Sequence, residues 1–202
     1  MLCLGQHERA IECFSEALEI EREVGDRASE GLILGNLGLA FHAQGQHAQA
    51  LACYMQALDL HREVGDRRSE AINLGNLGDA QFRFGRLAEA ETAFRQAIPI
   101  GDEVFPASAG AFRGSLALLL ARQGRQDEVQ GLLEAGEVQV TSHPAEHAKF
   151  LCKKGQILHL AGDATAAAIA LAEVESIAAE LAANPDSELG QVLAETREIL
   201  TR

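Results

Sequence analysis

Apolar side chains in the N-terminal half of the chain recur at intervals of three and four residues. Leu34, Leu37 and Phe41 form one such row, and the segment HAQALACYMQALDL continues the spacing after Gly45. This is the period of an amphipathic α-helix, and a glycine between two rows is typical of a tight turn that ends a helix. The pattern predicts pairs of antiparallel helices.

Further glycines divide the chain in two different ways. Some interrupt the apolar rows as Gly45 does and are predicted to end the first helix of a pair, namely Gly5, Gly85, Gly124 and Gly162. Gly25 and Gly65 each precede an aspartate. We expect these two glycines to end second helices, with Asp26 and Asp66 capping the next first helix.

Part of the chain is spelled twice, forty residues apart. GDRASEGLILGNLGLAFHAQG occupies residues 25–45, and GDRRSEAINLGNLGDAQFRFG occupies residues 65–85. A fixed internal period of this length is the signature of a solenoid, in which each unit is too small to bury its own apolar face. The repeating unit is a pair of helices.

Small residues occupy matching places in the two copies. Gly38 and Gly78 fall inside predicted first helices, where glycine costs about 1 kcal/mol relative to alanine. Each second helix carries two alanines seven residues apart on one face, Ala50 with Ala57 and Ala90 with Ala97. We expect close packing between the two helices of a pair to compensate for the cost of the glycines.

These residues resemble the tetratricopeptide repeat, whose pattern places a large residue, Leu-Gly and an aromatic residue on the first helix, then Ala, a large residue and Ala on the second. The two copies supply Leu34, Leu37, Gly38, Phe41, Ala50, Tyr54 and Ala57, then Leu74, Leu77, Gly78, Gln81, Ala90, Phe94 and Ala97. Gln81 departs from the pattern, and the period exceeds the usual length of about 34 residues. The longer repeat is similar to that of polarity-scaffold and kinesin-light-chain arrays and of many bacterial regulators.

The resemblance implies an all-α fold, a right-handed α-solenoid of antiparallel helix pairs forming a single domain. The predicted parts are a partial repeat at 1–24, repeats at 26–64 and 66–104, degenerate repeats at 107–141 and 145–183, and a capping helix at 186–201. Pro106, Pro144 and Pro185 lie at the predicted joints, where they would separate helices. Because the first repeat lacks its first helix, we expect the chain to begin within a longer array.

Composition limits the classes of partner. The chain has 17 Lys and Arg residues against 30 Asp and Glu residues, a net charge of −13. Phosphate contacts need a basic surface, so we predict no nucleic-acid partner. No apolar run reaches the length of roughly 18 residues that a membrane span requires, and the start lacks the order of a secretory signal. We therefore expect a cytoplasmic protein with no membrane partner.

Candidate chemistry is sparse. The four cysteines, Cys3, Cys13, Cys53 and Cys152, form no CxxC pair and are interpreted as buried packing residues. The seven histidines include no HExxH motif, and no serine stands in a GxSxG motif. We predict no catalytic residue, no metal, no cofactor and no enzymatic activity.

In the tetratricopeptide repeat family, exposed residues of first helices line a concave groove that binds an extended or helical peptide. Asn36 and Asn76 hold matching places there, where an amide can donate to and accept from a peptide backbone; alternatively, they bond a neighbouring helix. The same face adds Leu39, His42, Asp79, Phe82, Arg83, Ser115 and Arg122. In the last pair it adds Lys149, Lys153, Gln156 and His159, a basic stripe that would hold an acidic peptide or form a solvated face.

The function predicted from these features is a non-catalytic protein–protein interaction scaffold that binds a peptide or protein segment in the groove. Two alternatives stay open. One is the C-terminal regulatory region of a larger bacterial signalling protein, packed on its own kinase, cyclase or ATPase domain. The other is self-association through the incomplete N-terminal pair, whose Ile11, Phe14 and Leu18 would be exposed.

Overall fold

A computed structural model describes residues 2–184 and 187–201, and these residues form ten α-helices and no β-strand. The helices are α1 (Leu2–Val24), α2 (Arg27–Ala43), α3 (His47–Val64), α4 (Arg67–Arg83), α5 (Leu87–Val104), α6 (Pro106–Arg122), α7 (Gln126–Val140), α8 (Pro144–Leu160), α9 (Ala164–Glu180) and α10 (Glu188–Leu200). The predicted all-α repeat fold is confirmed.

The chain divides into two compact units, Met1–Val104 and Phe105–Arg202. Unit 1 contains α1 to α5, and unit 2 contains α6 to α10. The repeat boundaries within a single domain stay a prediction. Met1, Pro185 and Asp186, on which part of that prediction falls, lie outside the described residues.

Unit 1 is a series of helices in which each packs on the next. The pairs α2 with α3 and α4 with α5 form hairpins, while α1 packs on α2 and α3 packs on α4. Leu18, Leu34 and Leu60, one from each of the first three helices, belong to one buried apolar cluster. Every hairpin therefore shares its apolar surface with a neighbour, as the repeat pattern predicts.

The turns hold glycine at the predicted positions, with one exception. The glycines after first helices, Gly45, Gly85, Gly124 and Gly162, have φ between 69° and 82°, and Gly25 and Gly65 have φ of 81° and 72°. At Gly65, which ends α3, a residue with a Cβ atom would be strained in this left-handed conformation. The prediction for Gly5 is wrong, because α1 continues through this residue from Leu2.

The glycines inside the first helices of unit 1 are packing positions. A Cβ atom on Gly38 would lie 2.6 Å from Cε1 of Tyr54, and one on Gly78 would lie 2.7 Å from Cε1 of Phe94. Both rings are fully buried. The predicted close packing is confirmed: a ring on the second helix occupies the space that the glycine leaves on the first.

The repeated phrase GDRxSE builds the joints between successive hairpins. Asp26 accepts hydrogen bonds from the backbone N–H groups of Ala28 and Ser29. Asp66 accepts one from the backbone N–H of Ser69. Both aspartates thereby satisfy N–H groups that a helix start leaves unpaired, and the predicted caps are confirmed.

A buried carboxylate links the two helices at each of these joints. Glu30 accepts hydrogen bonds from Nε of Arg22 at 2.9 Å and from Nη1 of Arg27 at 2.8 Å. The same arrangement recurs forty residues later, at 2.8 and 2.7 Å, in Glu70, Arg62 and Arg67. We call each set an arginine clamp. It provides the charge-assisted bonds that a buried carboxylate requires, although the motif pattern assigned these glutamates no role.

Unit 2 consists of two hairpins and a final helix. α6 packs on α7 and α8, α8 packs on α9, and α10 lies against α8 and α9. Pro106 and Pro144 are the first residues of α6 and α8, where the missing N–H removes no helical hydrogen bond. Leu189 and Leu193 of α10 are buried in a cluster with Leu151 of α8.

One aromatic ring serves two helices of unit 2. Phe150 of α8 is fully buried. A Cβ atom on Gly114 of α6 would lie 2.8 Å from Cδ2 of this ring, and one on Gly136 of α7 would lie 2.7 Å from its Cε2. The hairpin formed by α6 and α7 is therefore filled by a ring from the hairpin that follows it.

Candidate peptide-binding face

Two matching rows of accessible side chains run along the first helices of unit 1. The helices approach each other where the amide of Asn73 lies against Gly35, on which a Cβ atom would be 2.9 Å from Oδ1 of Asn73. Steps of three and four residues keep each row on one side of its helix. Together they form the α2–α4 face, which comprises Ala28, Leu32, Asn36, Leu39 and Ala43 on α2 and Arg68, Ile72, Asn76, Asp79 and Arg83 on α4.

The two rows differ in chemistry. The α2 row carries no charge, and Leu32 and Leu39 are 50% and 45% exposed. The α4 row places Asp79 between two arginines, Arg68 and Arg83. Clustered exposed apolar groups mark interaction surfaces more often than single ones do. Leu32 and Arg68 are absent from the sequence prediction, although steps of four and eight residues back from the two asparagines lead to them.

The two predicted asparagines hold accessible amides. Asn36 is exposed and Asn76 is half-buried, and neither side chain makes a hydrogen bond within the described part of the chain. Asn73 provides the contrast, because its Nδ2 donates to the carbonyl oxygen of Ser69 at 3.1 Å and the residue is buried. The alternative that Asn36 and Asn76 bond a neighbouring helix is not supported by the described contacts.

Two other predicted residues of unit 1 lie near the hairpin turns and are half-buried, His42 and Phe82. The ring of His42 packs edge-on against Phe84, with the centroids 5.6 Å apart. His47 contacts the other side of the turn cluster, with its centroid 3.6 Å from that of Phe84. His42 therefore contributes to turn packing in addition to any role toward a ligand.

Two of the predicted residues in unit 2 are not on the surface. Ser115 and Gln156 are 1% and 7% exposed, so their assignment to an exposed groove is wrong. Gln156 donates from Nε2 to Oγ1 of Thr196 at 3.2 Å and accepts from Nη2 of Arg122 at 3.4 Å. The physical reason is α10, which brings Thr196 onto α8 and covers the amide.

The predicted basic stripe on α8 is engaged in internal contacts. Nζ of Lys149 lies 2.9 Å from Oε1 of Glu146. Lys153 donates to the hydroxyl of Ser115. His159 is half-buried at the end of the same row. An acidic ligand on this stripe would have to compete with Glu146 for its cation.

The contact between Ser115 and Lys153 is also the pair that some hydrolases use as nucleophile and base. The burial of Ser115 removes its hydroxyl from the reach of a substrate. We interpret the pair as a link between α6 and α8. Among the described residues, no three His, Cys, Asp or Glu side chains lie close enough together to hold a metal ion.

The cysteines follow the prediction only in part. Cys152 is buried, Cys53 is half-buried, and Cys13 is exposed, which contradicts its assignment as a buried packing residue. The side chain of Cys3 lies outside the described residues. Burial raises the pKa of the Cys53 and Cys152 thiols, which keeps them protonated and poorly nucleophilic at neutral pH.

The apolar side chains of α1 do not form the free surface that the self-association hypothesis requires. Leu18 is buried, and Ile11 and Phe14 are half-buried against the cluster that includes Leu34 and Leu60. The predicted exposure of Leu18 is wrong because α1 packs on α2.

The recurrent hairpins, with small residues on one helix facing large residues on its partner, define an α-helical repeat protein. The model of the tetratricopeptide repeat family matches residues 1–63 and again residues 30–103, together half of the chain. The chain belongs to the tetratricopeptide repeat family, as its sequence predicts.

Solved structures share this fold at low sequence identity. The Podosopora anserina structure described as a kinesin light chain with nearly identical TPR-like repeats has a TM-score of 0.63 and 20% identity, covering 89% of this chain and 90% of that one. BtubC (BKLC) from P. vanneervenii has a TM-score of 0.70 and 16% identity, covering 96% of this chain and 84% of that one. At these identities the likeness concerns the fold alone.

No curated protein matches the sequence.

Within residues 2–184 and 187–201, each helix is too short or too polar to cross a membrane.

Proposed function

We propose that this protein is a non-catalytic interaction module that binds a peptide segment of a partner protein on the α2–α4 face. Proteins of the tetratricopeptide repeat family generally mediate protein–protein interactions. The observation that carries the proposal is the pair of accessible amides, Asn36 and Asn76, which make no hydrogen bond within the described residues.

The chemistry of the face suits a peptide. Each asparagine amide can donate to a backbone carbonyl and accept from a backbone N–H, so the pair can hold a main chain without reading its side chains. Leu32 and Leu39 are each about half exposed. Covering them would contribute on the order of 1 kcal/mol each, since full burial of a leucine is worth about 1.5–3 kcal/mol.

We assign binding to unit 1 rather than to the basic stripe of unit 2. Lys149 is paired with Glu146, and Lys153 contacts Ser115, so a ligand there would replace existing interactions. Self-association through α1 has less support, because Leu18 is buried in its own unit.

The test is selection of a random peptide display library on the full chain, followed by affinity measurement for the enriched peptides. The double variant Asn36→Ala/Asn76→Ala should weaken binding by about tenfold or more, since each amide supplies both a donor and an acceptor. The matched control is Gln56→Ala, which removes an exposed amide from α3. The proposal fails if no peptide is enriched, or if the double variant and the control bind equally well.

A further inference from the structure

The pattern of the α2–α4 face indicates the shape of the segment that it accommodates. Resting on the proposed function, we infer that the ligand is an amphipathic α-helix with an uncharged apolar stripe against α2 and acidic residues on the flank beside α4. This inference depends on the spacing of the exposed leucines and on the placement of charge, two independent features of the face.

The spacing of the leucines matches the period of a helix. Leu32 and Leu39 are seven residues apart on α2, which is two turns and about 10.5 Å along the axis. A second helix lying along α2 presents apolar side chains at i, i+3 or i+4, and i+7, so its own anchors recur at the same distance. Asn36 lies between the leucines, at the level of the intervening turn.

An extended peptide does not match this spacing. Side chains on one face of a strand recur at about 6.7 Å, and the next at about 13 Å. A strand that places one anchor on Leu32 would therefore place its neighbours short of Leu39 or beyond it. A helix meets both leucines at once.

The charges of the face define the second half of the ligand. The α2 row has no charge, whereas the α4 row has exposed arginines at both ends, Arg68 and Arg83, and one carboxylate, Asp79. Although the chain as a whole is acidic, charges farther than about 8 Å are screened at physiological salt, so the local row decides. The arginines are fifteen residues apart, about 22 Å, which a helix of roughly four turns spans.

The experiment uses synthetic peptides of about 16 residues and the full chain. The test peptide has leucines at i, i+3, i+7 and i+10 and glutamates on one adjoining flank. One control peptide has the same composition with leucines distributed around the helix. A second control keeps the leucine stripe and replaces every glutamate by glutamine. Affinities are measured by calorimetry at low and high salt.

The test peptide should bind at least about tenfold more tightly than the scrambled control. Its advantage over the glutamine peptide should be present at low salt and decrease at high salt, because the arginine contacts are exposed. Equal binding of the striped and scrambled peptides would overturn the helix assignment. Equal binding of the glutamate and glutamine peptides at low salt would overturn the acidic flank.

Protein variants locate the contact. Leu32→Glu/Leu39→Glu should lower affinity for the test peptide by about tenfold or more, because the apolar anchors are lost. Met55→Glu is the matched control, since Met55 is an exposed apolar residue of α3 outside the face. Circular dichroism checks that all variants remain helical. Equal loss in both variants, or in neither, would contradict the inference.

The library selection separates this inference from the proposed function. If selected peptides depend on Asn36 and Asn76 but are extended and lack a leucine stripe, the proposed function stands and the helix inference is wrong. If the library yields no binder and the striped peptide also fails to bind, both are wrong.

Discussion

The two units build similar hairpins by different packing. In unit 1 the ring belongs to the second helix and lies against a glycine of its own first helix, as in Gly38 with Tyr54 and Gly78 with Phe94. In unit 2 the ring is Phe150 of α8, which fills the space beside glycines of both α6 and α7. The ring of unit 1 joins one hairpin together, whereas the ring of unit 2 joins two hairpins.

The turn glycines show which positions correspond. Gly85, Gly124 and Gly162 are 39 and 38 residues apart, so Ala117 and Leu133 occupy in unit 2 the places of Gly78 and Phe94. Both replacements are buried. Enlarging the small residue while reducing the large one keeps their combined volume close to constant, which is what a densely packed interior requires. The repeat preserves a packed volume more strictly than it preserves residue types.

A second crossing, between the start of each first helix and the end of the second, follows the same rule. The corresponding pairs are Gly31 with His61, Ala71 with Gly101, Gly110 with Val140 and Ala148 with Ala178. A Cβ atom on Gly31 would lie 2.9 Å from Cε1 of His61, and one on Gly110 would lie 2.8 Å from Cγ1 of Val140. Glycine stands where its partner is large, and alanine stands where its partner is small.

The largest expected effect tests whether one ring supports two hairpins. Phe150→Ala should lower the free energy of unfolding by about 3–5 kcal/mol, because it removes a fully buried ring and leaves a cavity. Urea denaturation measures the loss, and hydrogen exchange locates it in α6 and α7 as well as in α8. Phe94→Ala should cost a similar amount but accelerate exchange in α4 and α5. Protection of α6 and α7 in Phe150→Ala would contradict the comparison.

Glycine-to-alanine changes should have opposite signs at two corresponding positions. Gly78→Ala should destabilise by about 1–3 kcal/mol, because its Cβ meets a buried ring. Gly155→Ala should stabilise by up to about 1 kcal/mol through helix propensity, since the nearest atoms lie 3.7 Å away. Thermal and urea unfolding give both values.

A double variant sharpens this result by transferring the packing of unit 2 into unit 1. Gly78→Ala/Phe94→Leu reproduces the Ala117 and Leu133 combination. It should cost less than the sum of the two single changes, because the smaller side chain makes room for the new methyl group. Strict additivity would show that the two residues do not share a volume.

The arginine clamp should be worth less than the rings. Glu70→Gln keeps the shape and removes the charge, and we expect a loss of about 1–2 kcal/mol, limited by the solvation of the two half-exposed arginines. Glu63→Gln is the control, because its pair with Arg27 is exposed and should contribute little. Urea unfolding at neutral pH compares them. Equal losses would mean that burial of the Glu70 carboxylate has no energetic consequence.

The smallest expected effect is a pH dependence confined to unit 1. Burial lowers the pKa of His61, against the opposing influence of Asp66 and Glu70. The unfolded chain therefore binds a proton more readily than the folded chain, so this contribution is complete above about pH 6.5 and decreases as the pH falls below it.

His61→Val isolates this contribution, because it introduces the residue that stands at the corresponding position of α7, Val140. The wild-type chain should lose up to about 1 kcal/mol more than the variant between pH 7.5 and pH 5.5. Urea midpoints at the two pH values measure the difference. An unchanged pH dependence in the variant would assign it to the other histidines.

Much of the fold follows from local spacing in the sequence. The glycine turns, the Asp26 and Asp66 caps and the close approach at Gly38 and Gly78 are all predicted and found. Such features depend on residues within one hairpin, so the rows of apolar residues record them. The accessible positions of Asn36 and Asn76 follow from the same periodicity.

The failures concern residues whose surroundings come from distant parts of the chain. Ser115 and Gln156 belong to the predicted helical row, but Lys153 and Thr196 cover their polar atoms. Glu30 was assigned no role because its two arginines belong to two helices on opposite sides of a turn. A one-dimensional period shows which side of a helix a residue occupies and does not show what covers that side.

The sequence by itself therefore determined the class of repeat, the ends of most helices and the small residues at which helices approach each other, because these follow from backbone conformation and local spacing. The tertiary structure alone decided which polar side chains are buried and where Phe150 packs. Those outcomes depend on long-range helix contacts, whose energies exceed the local preferences that a sequence pattern displays.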